Sequence, residues 1–184
     1  MNRLISLHDS IFDGLHTALD GWFLPLFARF TFAAVLLFYF WNSALTKLGD
    51  GFAGLFSPSL NAYIQIFPKK TESLGYDASG FSMFDWLIVM AGTYGEFILP
   101  ALIVVGLFTR IAALGMIIFV VVQSVVDVTG HGVGGADLGG WFDGPSGSLI
   151  MDQRLLWVTL FATLIAKGAG ALSLDAILKS RRMT

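Results

Sequence analysis

Residues 86–127 read WLIVMAGTYGEFILPALIVVGLFTRIAALGMIIFVVVQSVVD, and Glu96 and Arg110 are the only charged residues before the last position. About 20 apolar residues cross the hydrocarbon core of a bilayer as a helix, so this stretch is long enough for two crossings. The two apolar segments, at about 86–109 and 111–127, follow one another without a loop. The sequence therefore predicts a tight antiparallel hairpin of two membrane-spanning helices.

Two further apolar segments flank this hairpin, at about 22–46 and 149–171. The four segments are unbroken apolar runs and lack the alternating pattern of a lipid-facing β-strand. A helix also satisfies its own backbone hydrogen bonds in lipid. The sequence therefore predicts an all-α integral membrane protein, a four-transmembrane-helix bundle, with residues 1–184 as a single domain.

The composition supports lipid as the solvent of this 184-residue chain, with 55% hydrophobic and 13% charged residues. An ordinary soluble domain has roughly 45–50% apolar and about 25% charged residues. The net charge of −2 argues against a nucleic-acid partner. The chain has no cysteine, which excludes disulfides, thiolate nucleophiles and cysteine-ligated iron–sulfur clusters. It has three histidines, none inside a strongly apolar run, which argues against a haem held by two buried imidazoles.

The N-terminal segment, residues 1–20, differs from the spans. Leu4, Ile11, Leu15 and Leu19 fall at helical spacing, and the aspartates lie off this stripe: Asp9, Asp13 and Asp20. This pattern predicts an amphipathic helix lying in the membrane surface. The alternative is a helix packed on the end of the bundle.

The distribution of lysine and arginine predicts the orientation of the chain. With four spans both termini share one side, and that side carries six basic residues against four on the other: Arg3, Arg110, Lys167, Lys179, Arg181 and Arg182 against Lys47, Lys69, Lys70 and Arg154. Because basic residues favour the cytoplasmic side, we expect both termini there. The glycine-rich loop 130–147 is then extracytoplasmic, either as a lid over a ligand or as a mobile connector.

Charged residues inside spans are the first candidates for a functional site, because each costs about 2.5–3.5 kcal/mol near the bilayer centre. Glu96 lies about ten residues into its span and Arg29 about seven into the first, from the opposite side, at about 1.5 Å per residue. We therefore expect the long side chain of Arg29 to approach Glu96. Glu96 is then a candidate catalytic proton acceptor, and Arg29 a candidate ligand for a polar headgroup. The alternatives are an interhelical ion pair or a protonated glutamate.

A second group of polar residues is predicted at the opposite end from the termini. Gln123, Asp127 and His131 are four apart and share a face if the helix continues that far, and Asp152 and Arg154 open the fourth span on the same side. Asp127 and His131 are candidate catalytic proton carriers, and the other three are candidate ligand-binding residues. The alternative is helix capping by the two aspartates with Arg154 paired to either. One imidazole and a few carboxylates make a weak transition-metal site, so no metal is predicted.

Tryptophans and Lys47 complete the candidates. The tryptophans at the span ends are by default an interfacial belt, and stacking of Trp41 on a ligand ring is the alternative. Lys47 ends the first span and is by default an anchor that extends toward water. In the functional alternative it binds the ligand.

Several short motifs occur in order along the chain: Arg29, Lys47-Leu48, Gly95-Glu96, GLFTRIAAL at 106–114 and GAGALSLD at 168–175. As a set they resemble the DoxX family of small four-helix bacterial membrane proteins. The resemblance implies a location in the bacterial inner membrane. It also implies the family positions Arg29, Lys47, Glu96 and Arg110, the last as a structural residue.

The resemblance further implies a subunit of a quinone-reducing oxidoreductase, such as thiosulfate:quinone oxidoreductase, or of another redox-associated membrane complex. In this hypothesis the protein binds a quinone or a small polar-headed ligand between its helices, and the quinone or a soluble or membrane redox partner carries the electrons. Whether the chain is itself catalytic, and whether it forms a homo-oligomer, stays open. The alternatives are a transporter of a small solute or metal complex, with Glu96 and Arg29 lining its path, and a non-catalytic scaffold for soluble partners.

Overall fold

The computed structural model describes residues 2–19 and 21–181, and the regular structure in these ranges is helical. Asp20 and Arg182, used in the sequence predictions, lie outside the described residues. The α-helices are α1 Asn2–Leu19, α2 Phe23–Phe32, α3 Phe38–Leu45, α4 Leu60–Ile66, α5 Pro68–Ser73, α6 Met83–Val105, α7 Thr109–Val125, α8 Gly135–Leu138, α9 Arg154–Lys167 and α10 Leu174–Arg181. Short 3₁₀ turns lie at Ala53–Leu55 and Ala78–Gly80.

Within the described residues, four helical segments are long and apolar enough to cross a membrane. They are called the first to fourth spans: Phe23–Leu45, Met83–Val105, Thr109–Gly130 and Leu149–Lys167. The predicted all-helical membrane fold with four spans is confirmed. The span ends at Phe23, Val105, Thr109 and Lys167 lie at one face of the bundle, which is called the terminal face. The opposite end is called the loop face.

The second span differs most from its predicted bounds, because local capping sets its ends. Ser82 and Asp85 form a reciprocal capping box, in which the Asp85 carboxylate accepts the Ser82 N–H at 2.8 Å. The helix therefore begins at Met83, before the apolar run. The helix ends at Val105, and the next residue, Gly106, caps it. Gly106 has a φ of 71°, a left-handed conformation that other residues adopt only at a cost. The fourth span likewise ends at Lys167, because Gly168 has a φ of 79°.

Three of the four spans contain a π-helical turn, which hydrogen-bonds one residue farther along the chain than an α-helix does. These turns are Ala33–Leu37 in the first span, Val126–Gly130 in the third and Leu149–Gln153 in the fourth. Such turns occur often at functional sites. Each one shifts the faces on which the following side chains lie, so a spacing of four no longer keeps residues in one row.

The core of the bundle is built from aromatic side chains of several spans. The spans form a ring in which the third packs on the second and fourth, and the first also packs on the second and fourth. The fully buried Phe40 meets Phe119 and Trp157 edge-on, with ring centroids 6.0 and 6.1 Å apart. Nearer the terminal face, Phe32 packs on Phe161 at 5.8 Å. These rings join all the spans but the second, whose Ile103 packs into the same core.

The outer surface of the spans carries large apolar side chains that the protein leaves uncovered: Phe30, Val35, Phe38, Ile118 and Leu156 are each 58–67% exposed. Exposing such an apolar surface to water is unfavourable, whereas lipid tails solvate it. The amphipathic N-terminal helix is also present, as α1. Its apolar Leu4, Ile11 and Leu15 are exposed, which favours a position in the membrane surface over packing on the bundle.

The two loops at the loop face are both folded. Residues 46–82 carry α4 and α5, and Tyr63 of α4 stacks on Phe81 with ring centroids 4.2 Å apart. The glycine-rich loop 130–147 contains the short α8 and returns to the fourth span, where the Trp141 indole N–H donates to Met151 O at 2.9 Å. This bond ties the loop to the bundle.

Replacing Phe40 with alanine tests the aromatic core. We expect the free energy of unfolding to fall by about 3–5 kcal/mol, because the substitution leaves a cavity among rings that relax only partly. Phe38→Ala is the matched control, since its ring is 64% exposed on the lipid-facing surface. Thermal unfolding in detergent micelles measures both, and an equal loss of stability in the two variants would contradict the described core.

Candidate functional site

The most deeply buried charges lie between the first and second spans. The Lys47 ammonium lies 2.7 Å from Glu96 Oε2 and 3.0 Å from Oε1, and the two side chains are 5% and 4% exposed. Ser43 completes the group: its hydroxyl accepts from Lys47 Nζ at 2.7 Å and donates to Glu96 Oε1 at 3.1 Å. Each buried charge therefore has an opposite charge and a hydrogen bond, which offsets the cost of removing it from water.

The chain just beyond the first span turns Lys47 inward. The Lys47 carbonyl accepts the Ser59 N–H at 2.9 Å, and the Ser59 hydroxyl donates to Thr46 O at 3.1 Å. These bonds fold the following loop over the end of the helix and leave the Lys47 side chain 5% exposed. The default prediction of a lysine that extends toward water is therefore wrong, because the Glu96 carboxylate is the nearer partner.

Trp41 holds the second span beside this ion pair. Its indole N–H donates to the carbonyl oxygen of Phe97 at 3.2 Å, one residue after Glu96. The ring also meets Phe38 edge-on at 6.2 Å. In this geometry Trp41 positions the helix that carries Glu96.

Arg29 serves the terminal face, far along the second span from Glu96. Its guanidinium donates to two backbone carbonyls at the end of the second span, Ile103 O at 3.0 Å and Val104 O at 2.5 Å. It also donates to two carbonyls in the segment that follows the fourth span, Ala169 O at 3.1 Å and Leu172 O at 2.6 Å. The last carbonyls of a helix have no partner within the helix, and Arg29 supplies one. The predicted approach of Arg29 to Glu96 is wrong, because Arg29 reaches the second span at Ile103, seven residues beyond the glutamate.

Two of the sequence motifs meet around Arg29. The Asp175 carboxylate accepts the N–H groups of Phe108 and Thr109 at 2.8 and 3.0 Å, and the Asp175 N–H donates to Gly106 O at 2.8 Å. A side chain at Gly106 would have its Cβ 2.9 Å from the Arg29 guanidinium carbon, so the position requires glycine. Arg110 adds a bond from its guanidinium to Ala166 O at 3.3 Å. The terminal face is therefore locked by hydrogen bonds between the hairpin turn and the C-terminal segment.

The predicted polar group at the loop face is partly brought together. Arg154 is 7% exposed and donates to the Asp127 carboxylate at 2.5 Å and to the Ser124 hydroxyl at 2.9 Å. Asp152 instead caps the fourth span, where its carboxylate accepts the Ser148 N–H at 2.9 Å. Asp127 and Arg154 thus form an ion pair between the third and fourth spans, and Asp152 takes the capping alternative.

Gln123 and His131 have hydrogen-bond partners outside this ion pair. The Gln123 amide donates to the Tyr39 hydroxyl at 3.0 Å, across the bundle in the first span. His131 is exposed, and its Nε2 lies 3.0 Å from the carbonyl oxygen of Gln65 in α4. The three residues predicted to share a face therefore have three different partners, and the π-helical turn Val126–Gly130 lies between Gln123 and His131.

Two buried polar atoms near the Asp127–Arg154 pair have no hydrogen-bond partner among the described residues: Gln123 Oε1, an acceptor, and Arg154 Nε, a donor. Gln123 bonds the hydroxyl of Tyr39, and Arg154 bonds Ser124, the residue that follows Gln123. An aromatic pair lies alongside, with the rings of Tyr39 and Trp157 5.2 Å apart. This polar and aromatic group is called the Gln123–Arg154 site.

Sequence reasoning missed Tyr39 and Ser43, although a signal for both exists. Tyr39, Ser43 and Lys47 are four residues apart along the first span, a spacing that places polar groups in one row of an α-helix. Tyr39 contacts the Gln123–Arg154 site, and Ser43 contacts Glu96. The row therefore links the two polar sites of the bundle.

Replacing Lys47 with methionine tests the buried ion pair. We expect the variant to lose about 3–5 kcal/mol of unfolding free energy, since Glu96 is left as an unpaired buried charge. The double variant Lys47→Met/Glu96→Gln should recover most of this loss, because no charge remains buried. Lys69→Met, at an exposed position of α5, is the control. Thermal unfolding in detergent gives the cycle, and additive effects of the two substitutions would contradict the pair.

Replacing Arg29 with lysine tests the lock at the terminal face. An ammonium lacks the planar fork that reaches both the second span and the segment after the fourth span, and bonds from charged donors contribute about 1.5–3 kcal/mol each. We expect a loss of at least about 2 kcal/mol. Arg3→Lys on the exposed α1 controls for the exchange of cations. If Arg29→Lys unfolds at the wild-type temperature, the lock does not stabilise the bundle.

Comparison with known proteins agrees with the motifs. The DoxX family model matches residues 24–131, a region that holds the first three spans, Arg29, and the Lys47–Glu96 pair. No match was found among curated proteins or among solved structures. Because the family match covers more than half of the 184 residues, the chain belongs to the DoxX family.

Proposed function

We propose that this multi-pass membrane protein is the membrane subunit of a quinone-linked redox complex in the bacterial inner membrane, with both termini cytoplasmic. In the proposal a quinone ring binds at the Gln123–Arg154 site. The observation that carries it is that two buried atoms, Gln123 Oε1 and Arg154 Nε, have no hydrogen-bond partner in the part of the chain that the structure describes. An unsatisfied buried polar atom costs about 1–3 kcal/mol, so a ligand that pairs both atoms gains that free energy.

The composition of the site supports a flat ring that carries oxygen atoms. The Arg154 Nε–H offers a hydrogen bond to a carbonyl oxygen, and Gln123 Oε1 accepts one from a hydroxyl group. The rings of Tyr39 and Trp157 lie beside these groups, and aromatic faces favour stacking with another flat ring. Tyr39 is 43% exposed on the bundle surface, so a ligand enters from the bilayer.

A bound quinone supplies the redox chemistry, since it takes up two electrons and two protons to become a hydroquinone. In our proposal Asp127 and His131 carry protons between the site and the solution at the loop face. The Asp127 side chain is 25% exposed and adjoins the site through Arg154, and His131 is exposed where the third span ends. A soluble or membrane redox partner supplies the electrons.

Glu96 is the second proton-handling group of the proposal. It adjoins the polar row Tyr39, Ser43 and Lys47, which runs from Gln123 to the buried ion pair. A proton on Glu96 would exchange with Ser43 and Lys47, whose polar atoms lie within 3.1 Å of its carboxylate. Arg29, Trp41 and Asp152 already spend their donors or acceptors on backbone groups. We therefore assign them positioning roles.

Replacing Gln123 with leucine tests the site. We expect about 3–10-fold weaker binding of a short-tailed hydroquinone and a smaller effect on the matching quinone, because the variant loses an acceptor that only the hydroxyl form uses. Gln65→Leu is the matched control, since its amide bonds Thr46 on the loop instead. Titration of the purified full chain in detergent with short-tailed benzoquinone and naphthoquinone, in both redox states, measures the affinities.

Three results would contradict the proposal. The first is that lipids extracted with the protein contain no quinone and that added quinone does not bind in the titrations. The second is solute uptake by vesicles that depends on Glu96, which favours a transporter. The third is full activity of an assembled complex that carries Glu96→Gln and His131→Ala, which favours a scaffold.

A further inference from the structure

A cavity of about 690 Å³ opens at the terminal face, outside the Gln123–Arg154 site. It lies where the turn between the second and third spans meets the end of the fourth span and α10. Its lining includes Thr109, Arg110, Lys167, Asp175 and Lys179. The cavity is therefore placed where three spans leave the membrane.

The lining of this cavity is positively charged. Arg110, Lys167 and Lys179 contribute three positive charges, and all three side chains are exposed. Asp175 is the acidic residue of the lining among the described residues, and its carboxylate is engaged by the N–H groups of Phe108 and Thr109. The cavity thus carries a net positive charge and attracts an anion.

Exposed apolar side chains surround this cationic cavity. Phe108 and Ile111, at the start of the third span, are 59% and 70% exposed. On α10 the side chains of Leu174, Ile177 and Leu178 are 42–50% exposed, at the spacing of one helix face. An anion held beside such a surface has apolar groups within reach, which fits a molecule with an anionic head and apolar tails.

The residues that line the cavity also include Thr109, which carries a hydroxyl group. Thr109 is fully buried, and its hydroxyl has no partner among the residues the structure describes. A hydroxyl at the start of a helix lies beside backbone N–H groups, and this end of a helix favours negative charge. The hydroxyl is closed off from the cavity, so the argument for a ligand rests on the three cations and the apolar surroundings.

We propose that this cavity binds the phosphate headgroup of an anionic phospholipid, with the acyl chains lying along Phe108 and Ile111. Basic pockets between spans attract such headgroups, and each cation near the membrane surface raises the affinity about fivefold. The apolar surroundings favour a lipid over free phosphate, which has no tails. The bound lipid would join the hairpin turn to α10 and so reinforce the lock made by Arg29 and Asp175.

Lipid titration of the full-length protein tests this site. We expect native mass spectrometry in neutral detergent to detect a bound phosphatidylglycerol at concentrations where phosphatidylcholine does not bind. Lys179→Gln and Arg110→Gln should each weaken this binding about fivefold, and the double variant about 25-fold. Lys69→Gln removes a positive charge outside the cavity and should leave the affinity unchanged. Circular dichroism confirms folding of each variant, and Lys179→Gln alone suffices if Arg110→Gln does not fold.

Three outcomes would overturn the proposal. Equal binding of phosphatidylglycerol and phosphatidylcholine would show that the cavity does not select charge. An equal loss of binding in Lys69→Gln would show that the net charge of the protein, and not the cavity, attracts the lipid. Displacement of the lipid by equimolar inorganic phosphate would assign the site to a free anion. We expect a short-tailed quinone to leave phosphatidylglycerol binding unchanged, since the two sites lie at opposite faces of the bundle.

Discussion

Water is absent from the hydrocarbon core, so every charge inside this bundle depends on a partner from the protein. Lys47, Glu96 and Ser43 satisfy one another between the first and second spans, and Arg154 satisfies Asp127 between the third and fourth. Each pair joins neighbouring helices, because a charge buried without a partner in the hydrocarbon core has a high free energy. The helix order is therefore tied to electrostatics as much as to the aromatic core.

The two faces of the bundle use polar side chains in different ways. At the terminal face, Arg29 and Asp175 spend all their described hydrogen bonds on backbone groups, which closes the ends of helices. Near the loop face, the polar groups contact other side chains, and two of their atoms keep no partner among the described residues. Chemistry at a site needs groups that are free to bond a ligand. The unpartnered atoms near the loop face thus suit the proposed redox site, whereas Arg29 and Asp175 hold the fold at the terminal face.

The sequence predicted the spans, because apolar length is readable without a structure. It offered pairing of Arg154 with either Asp127 or Asp152 as an alternative, and the structure selects Asp127. It failed for Arg29, whose partners are carbonyl oxygens that every residue carries and no motif distinguishes. It also failed for Lys47, since hydrogen bonds from Ser59, twelve residues later, set its direction. The π-helical turns leave no compositional trace, so the separation of Gln123 from Asp127 and His131 required coordinates.

The π-helical turn Ala33–Leu37 lies between the two cations of the first span. One residue advances an α-helix by about 100°, so this turn sets the angular phase between Arg29 and Lys47. Arg29 bonds carbonyls at the terminal face of the bundle, whereas Lys47 bonds Glu96 nearer the loop face. The turn sets the rotation that lets both side chains reach their partners. A relative that lacks this single residue must rotate one half of the helix against the other, and one of the two cations must then find a new partner.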